Sequence, residues 1–139
     1  MRVVLDTSVI VAALRSSRGA SNALLARVAR GELIPLVTTA LFLEYEEVLL
    51  RAEQRLATAM SEADVAGFLA ALASAAQAVE VHFRWRPQLG DAGDEMVLEA
   101  AINGAASALV THNVKDFAPA ARFGVRVVTP GEFLKELSS

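Results

Sequence analysis

The sequence predicts an α/β fold: a three-layer α/β/α sandwich in which a five-stranded, mostly parallel sheet is covered by helices on both faces. Three observations predict it. Short β-branched runs alternate with longer stretches of helical periodicity along the chain, the pattern of repeated strand–helix–strand units. The strand candidates are apolar almost without interruption, as strands buried on both faces must be. With 54% hydrophobic residues over 139 positions, the chain also has enough apolar material for one core, without disulfides or structural zinc. One domain over residues 1–139 is the expectation, since no repeat and no Pro/Gly/Ser-rich linker divides the chain.

The elements follow in order. Arg2–Leu5 reads as a buried strand, and Thr7 or Ser8 is placed to cap the apolar run Val9–Leu14 as a helix. Asn22–Arg30 carries Leu24, Leu25 and Val28 on one side, with Gly31 as its stop. Leu33–Thr38 is the second strand, and Thr39 can cap a helix over Leu41–Arg51. Ser61 and Asp64 frame a capping box that opens a long helix with Val65, Phe68, Leu69, Leu72 and Ala76 at helical spacing. Val79–Phe83 is the third strand. Gly93–Ala105 is helical, with Asp91 at the N-cap and with Glu95 and Glu99 as outer-face charges. Ser107–Thr111 and Val125–Val128 are the fourth and fifth strands. Thr129, Pro130 and Glu132 then supply a cap, a first-turn proline and an acid three residues on, so Phe133–Leu137 closes the chain as a helix.

Composition excludes several function classes. Zero cysteines remove thiol nucleophiles and cysteine-ligated zinc and are compatible with a reducing compartment. Asp6 interrupts the apolar N-terminal run, so a signal peptide is a poor reading and a cytoplasmic protein is expected. The longest charge-free stretch, Val65–Val79, is shorter than the roughly 20 apolar residues that cross a bilayer, so no membrane is expected. That stretch suits a core helix or a homodimer face. A net charge of −3 argues against a broad basic surface that coats nucleic acid, yet it suits an acidic metal site.

In a parallel sheet, sites form beyond the carboxyl ends of the strands, where strand order reverses. Asp6 ends the first strand, Asn113 and Asp116 follow the fourth, and Glu44 and Asp94 lie in early turns of helices that leave strands. Carboxylates gathered at one rim repel by roughly 4 kcal/mol per pair about 4 Å apart at an effective dielectric near 20, a cost that a hard divalent cation cancels. Mg²⁺ or Mn²⁺ suits such oxygen ligands, whereas two isolated histidines, His82 and His112, form no zinc set. Each acid also has a plainer reading: Asp6 as a strand-terminal turn residue, Asp91 as a cap. Glu46 and Glu47 read as solvated neighbours of Glu44.

The four blocks together resemble the PIN-domain family, in particular the toxins of toxin–antitoxin systems. Val3-Val4-Leu5-Asp6-Thr7-Ser8 is similar to the first strand of that family with its metal-binding Asp. Val37 to Leu49, with Glu44, resembles the second block; Asp91-Ala92-Gly93-Asp94 the third, in which the later Asp is the ligand; and Thr111-His112-Asn113-Val114-Lys115-Asp116-Phe117 the fourth. In that fourth block Asn113 stands where many relatives carry an acid, and one extra residue precedes Asp116, so either Asn113, through its carbonyl or a water, or Asp116 completes the set. The resemblance implies a five-stranded parallel sheet and a Mg²⁺- or Mn²⁺-dependent ribonuclease in which Asp6, Glu44, Asp94 and Asp116 are catalytic. It also implies an RNA substrate, a cognate antitoxin protein and a homodimer.

Thr7 and Thr111 are placed to orient ligands or a water by their hydroxyls. His112 is the histidine better placed to touch substrate, and Arg84, Trp85 and Arg86 form a cation–aromatic cluster suited to single-stranded RNA. Two other readings stand beside the nuclease. A PIN-like module that has lost catalysis and only binds a partner fits the altered fourth block. A receiver domain that accepts phosphate needs adjacent acids after the first strand, where Asp6 stands alone.

Overall fold

The most apolar run near the start of the chain becomes the centre of the sheet. In the computed structural model, which describes residues 1–82 and 89–138, Arg2–Leu5 is strand β1, and Val3, Val4 and Leu5 are buried. Strand β2 (Ile34–Val37) lies on one side and β4 (Ala108–Val110) on the other, while β3 (Gln77–Ala78) and β5 (Val127–Val128) form the edges. All pairings are parallel, and the register sets Val3 against both Pro35 and Ala108 and Leu5 against Val110.

Helices α1 (Thr7–Arg15) and α2 (Ala20–Ala29) join β1 to β2, and α3 (Thr39–Leu49), α4 (Ala52–Thr58) and α5 (Glu62–Ala75) join β2 to β3. Helix α6 (Ala92–Asn103) precedes β4, a 3-10 segment (Val114–Phe123) leads to β5, and α7 (Pro130–Leu137) follows. The first two crossovers step outward from β1, whereas the third returns past β2 and β1 to reach β4. Because such crossovers are right-handed, α6 falls on the opposite face from the helices of the first two, giving three layers. Helix α6 packs across β1, β2 and β4. It comes so close at its end that a Cβ on Gly104 would stand 2.8 Å from Leu36 Cδ1 and 2.9 Å from the Ala100 carbonyl oxygen, so a side chain there would force its neighbours to shift.

Local chemistry explains several helix starts. The Ser61 hydroxyl accepts from the Asp64 N–H, and the Asp64 carboxylate accepts from the Ser61 N–H, closing the expected capping box. Thr129 caps α7 through the Glu132 N–H, with Pro130 in the first turn. Asp91 caps α6 through the Asp94 N–H.

Several expectations are corrected. The cap of α3 is Thr38, not Thr39, because the helix begins at Thr39, two residues before its apolar stripe. Asp6, not Thr7 or Ser8, holds the N-cap position of α1. The third strand is the exposed pair Gln77–Ala78 rather than Val79–Phe83; Val79 adds one hydrogen bond to Val37, and Phe83 lies outside the described residues. Helix α4 was not expected because it buries no residue and so has no apolar stripe. The 3-10 segment, kinked at Phe117 and containing Pro119, likewise lacks helical periodicity. Glu95 and Glu99 are buried rather than outward-facing: α6 lies across three strands, so Val97, Leu98, Ala100 and Ala101 are covered with them.

Candidate metal centre

The carboxyl ends of β1 and β4 meet where the strand order reverses, and there the chain places Asp6 and Thr111. The Asp6 N–H donates to the Val110 carbonyl (2.9 Å) and its own carbonyl accepts from the Val9 N–H (2.9 Å), so the residue closes a strand and opens a helix at once. The residue is 5% exposed, and its carboxylate does not cap α1. Instead Oδ2 accepts from the Thr111 hydroxyl (2.7 Å) and from the Ser8 hydroxyl (2.8 Å). Two donors on one oxygen orient the group and leave Oδ1 for another partner.

Thr111 is fully buried, and its hydroxyl also accepts from the Asn113 N–H (3.0 Å). The Asn113 carbonyl in turn accepts from the Asp116 N–H (3.0 Å). One hydroxyl thus links the buried Asp6 to the exposed turn that carries Asn113 and Asp116. Those two side chains, with Gly90, Asp91 and Asp94, line an open cavity of about 410 Å³ with no Lys or Arg among the described residues that line it.

Glu44 reaches the same rim from α3. A Cβ on Gly93 would come within 3.3 Å of Glu44 Oε1 and 3.0 Å of Asp91 Oδ1, so the small residue at 93 lets the two helices bring these carboxylates together. The next residue, Tyr45, is buried and donates its hydroxyl to the Leu5 carbonyl; burial drives its proton affinity well above the ordinary phenol range.

Electrostatics identify these acids as neighbours. Burial pushes the Asp94 carboxyl up to about 6, and the charges of Asp6, Asp91, Asp116 and Glu95 push the same way. Glu44 is also raised, by burial first and then by Glu47, Asp91 and Asp6, against an opposing pull from Arg51. The cluster is therefore under repulsion. Among the described residues no group of three or more His, Asp or Glu side chains is closed tightly enough to hold a metal ion as it stands. Carboxylates that repel stand apart until a counter-charge draws them in. All-oxygen donors, an excess of negative charge and an open cavity fit a hard divalent cation such as Mg²⁺ or Mn²⁺.

The remaining candidates fall at varied distances from this cluster. Thr7 is the first residue of α1, half-buried. His112 is exposed, with its backbone N–H near Ser8 Oγ (3.5 Å) and its Nε2 at 3.1 Å from the buried Ser21 hydroxyl. His82 stands apart, exposed and near Glu80. Arg84, Trp85 and Arg86 lie outside the described residues. From the sequence, Ser8 reads only as a cap and Tyr45 carries no role. The available signal for Ser8 was a small hydroxyl two places after a strand-terminal Asp; for Tyr45, a polar-tipped aromatic in a core position. Glu95 was misjudged as solvated, yet its Oε1 accepts from the Leu89 N–H (2.7 Å) and steadies the approach to α6.

Comparison with known proteins adds one finding. A family model described as a PIN domain matches residues 2–115, which includes Asp6, Glu44, Asp94 and Asn113 and stops just before Asp116. No curated protein matches the chain.

Proposed function

This chain belongs to the PIN-domain family, whose members are in general nucleases, and from that premise we propose that it is a Mg²⁺- or Mn²⁺-dependent endoribonuclease, the toxin of a toxin–antitoxin pair. The observation that carries the reading is the convergence of Asp6, Glu44, Asp94 and Asp116 on one rim, with Asp94 and Glu44 raised by burial and by their acidic neighbours. In this reading Asp6, Glu44 and Asp94 hold the cation, with Asp116 or the Asn113 carbonyl completing its surroundings. When bound, the cation lowers the pKa of a water and offsets charge growing on a phosphodiester.

The residues of the chain have separate tasks. Ser8 and Thr111 fix the Asp6 carboxylate through one oxygen and leave the other for the cation. Thr7, Thr111 and His112 orient the ligands or touch the substrate in this reading, and Arg84 and Arg86 supply phosphate contacts. A cognate antitoxin, a homodimer and a cytoplasmic location complete the proposal. No single helix among the described residues is long and apolar enough to cross a membrane. The substitution of Asn113 for an acid favours one second reading, a PIN-like module that binds a partner without catalysis.

One experiment separates the two. The purified protein is expected to bind Mn²⁺ and to cleave RNA, and Asp6→Asn to abolish cleavage and to relieve growth arrest in the expressing cell. Cleavage that persists unchanged in Asp6→Asn removes the metal mechanism; Mn²⁺ binding without cleavage leaves the binding module. A short upstream reading frame encoding a DNA-binding protein supports the toxin assignment.

A further inference from the structure

We infer that Tyr45 is a positioning residue for the metal centre, its hydroxyl locking the helix that carries Glu44 to the strand end that carries Asp6. The inference rests on the reading of those two carboxylates as metal ligands. Leu5 and Asp6 are consecutive, as are Glu44 and Tyr45, and consecutive Cα atoms are about 3.8 Å apart. A single hydrogen bond from the Tyr45 hydroxyl to the Leu5 carbonyl therefore ties together the two backbones one residue away from each carboxylate.

The position of that carbonyl explains why a hydroxyl is needed. Strand β1 pairs with β2 at Arg2 and Val3 but continues along β4 as far as Leu5, so at Leu5 the β2 side of the ladder has ended. A buried carbonyl needs a donor, and Tyr45, 1% exposed, supplies it from α3. A phenylalanine would fill the same space. The hydroxyl adds no packing and has to leave water, so its contribution lies in the bond, which fixes α3 against the strand end. Groups that orient ligands without touching the ion govern how well a site is formed before the ion arrives.

The test compares Tyr45→Phe in the full chain with the parent and with Phe133→Leu, a substitution of a buried residue on α7 that serves as the stability control. Mn²⁺ affinity is measured by calorimetric titration, the melting temperature in EDTA, and RNA cleavage under single-turnover conditions. Tyr45→Phe is expected to weaken Mn²⁺ binding about tenfold, the scale on which orienting partners act, while Phe133→Leu lowers the melting temperature and keeps the parental affinity. Mn²⁺ affinity in Tyr45→Phe within about twofold of the parent, or a loss equalled by Phe133→Leu, overturns the inference while leaving the metal reading in place. A parent that neither binds Mn²⁺ nor cleaves RNA overturns both.

Discussion

Asp6 and Asp91 occupy the same place in two helices, each at the N-cap with extended backbone, yet they are used in opposite ways. Asp91 turns its carboxylate onto its own helix and accepts from the Asp94 N–H at 3.1 Å, as a capping residue should. Asp6 caps no backbone N–H of its helix and is held instead by the hydroxyls of Ser8 and of Thr111, which lies 105 positions away. One is exposed and the other nearly buried. An acid that forgoes a stabilising local bond and is desolvated among other acids is held there for something other than the helix, and that difference separates a candidate ligand from a cap.

The sharpest way to break the comparison is to remove each charge while keeping its shape. Asp6→Asn is expected to lower single-turnover RNA cleavage by about a thousandfold, several kcal/mol of charge stabilisation. A variant that cleaves within a few fold of the parent would make Asp6 no different from Asp91. Next in size is Thr111→Val, which keeps the volume and removes one of the two donors to Asp6 together with the acceptor for Asn113; Mn²⁺ affinity should fall by about 10–100-fold, read by titration.

Asp94→Asn acts on stability with the opposite sign to activity. Its folded carboxyl, at about 6, lies above the ordinary Asp value, so the folded state holds the proton more tightly than the unfolded chain. In EDTA this group therefore makes the protein less stable as pH rises from about 4 to about 6, with the full penalty present at neutral pH. Asp94→Asn should raise metal-free stability at pH 7.5 by about 1 kcal/mol after allowance for solvent screening, or about 4 °C in Tm, while abolishing cleavage. A lower Tm in the variant contradicts the repulsion argument. The smallest effect belongs to Asp91→Asn, which keeps a good capping residue: cleavage and Tm should both stay near parental values. Asp91→Ala should lose about 1 kcal/mol of stability, seen in urea unfolding.

What the sequence disclosed, and what it hid, follows from the same physics. Strands β1, β2 and β4 were legible because burial on both faces demands unbroken apolar runs, and the capping box at Ser61 and the cap at Thr129 because they are local in sequence. Helix α4 and the two-residue β3 were not, since neither buries side chains and so neither imprints a period. Glu95 and Glu99 were misread because α6 is covered on more than one side, which a helical period calculated for one buried stripe cannot reveal. For the site, four acidic blocks could be placed near strand ends from sequence, and the fold gathers Asp6, Glu44, Asp94 and Asp116 around one rim. The hydroxyls that steady them were hidden. Ser8 looks like a cap when only its neighbours are known, and the bonds from Thr111 to Asp6 and from Tyr45 to Leu5 span 105 and 40 positions.

The hydroxyl of Thr111 on the carboxylate of Asp6 also sets a timetable. Asp6 is made 105 positions before the residue that orients it, and β4 must then insert beside β1 at the middle of the sheet. Pairing across so long a loop is slow relative to local helix formation. The orientation of Asp6 thus depends on a pairing far from it in sequence and not on the turn in which it sits.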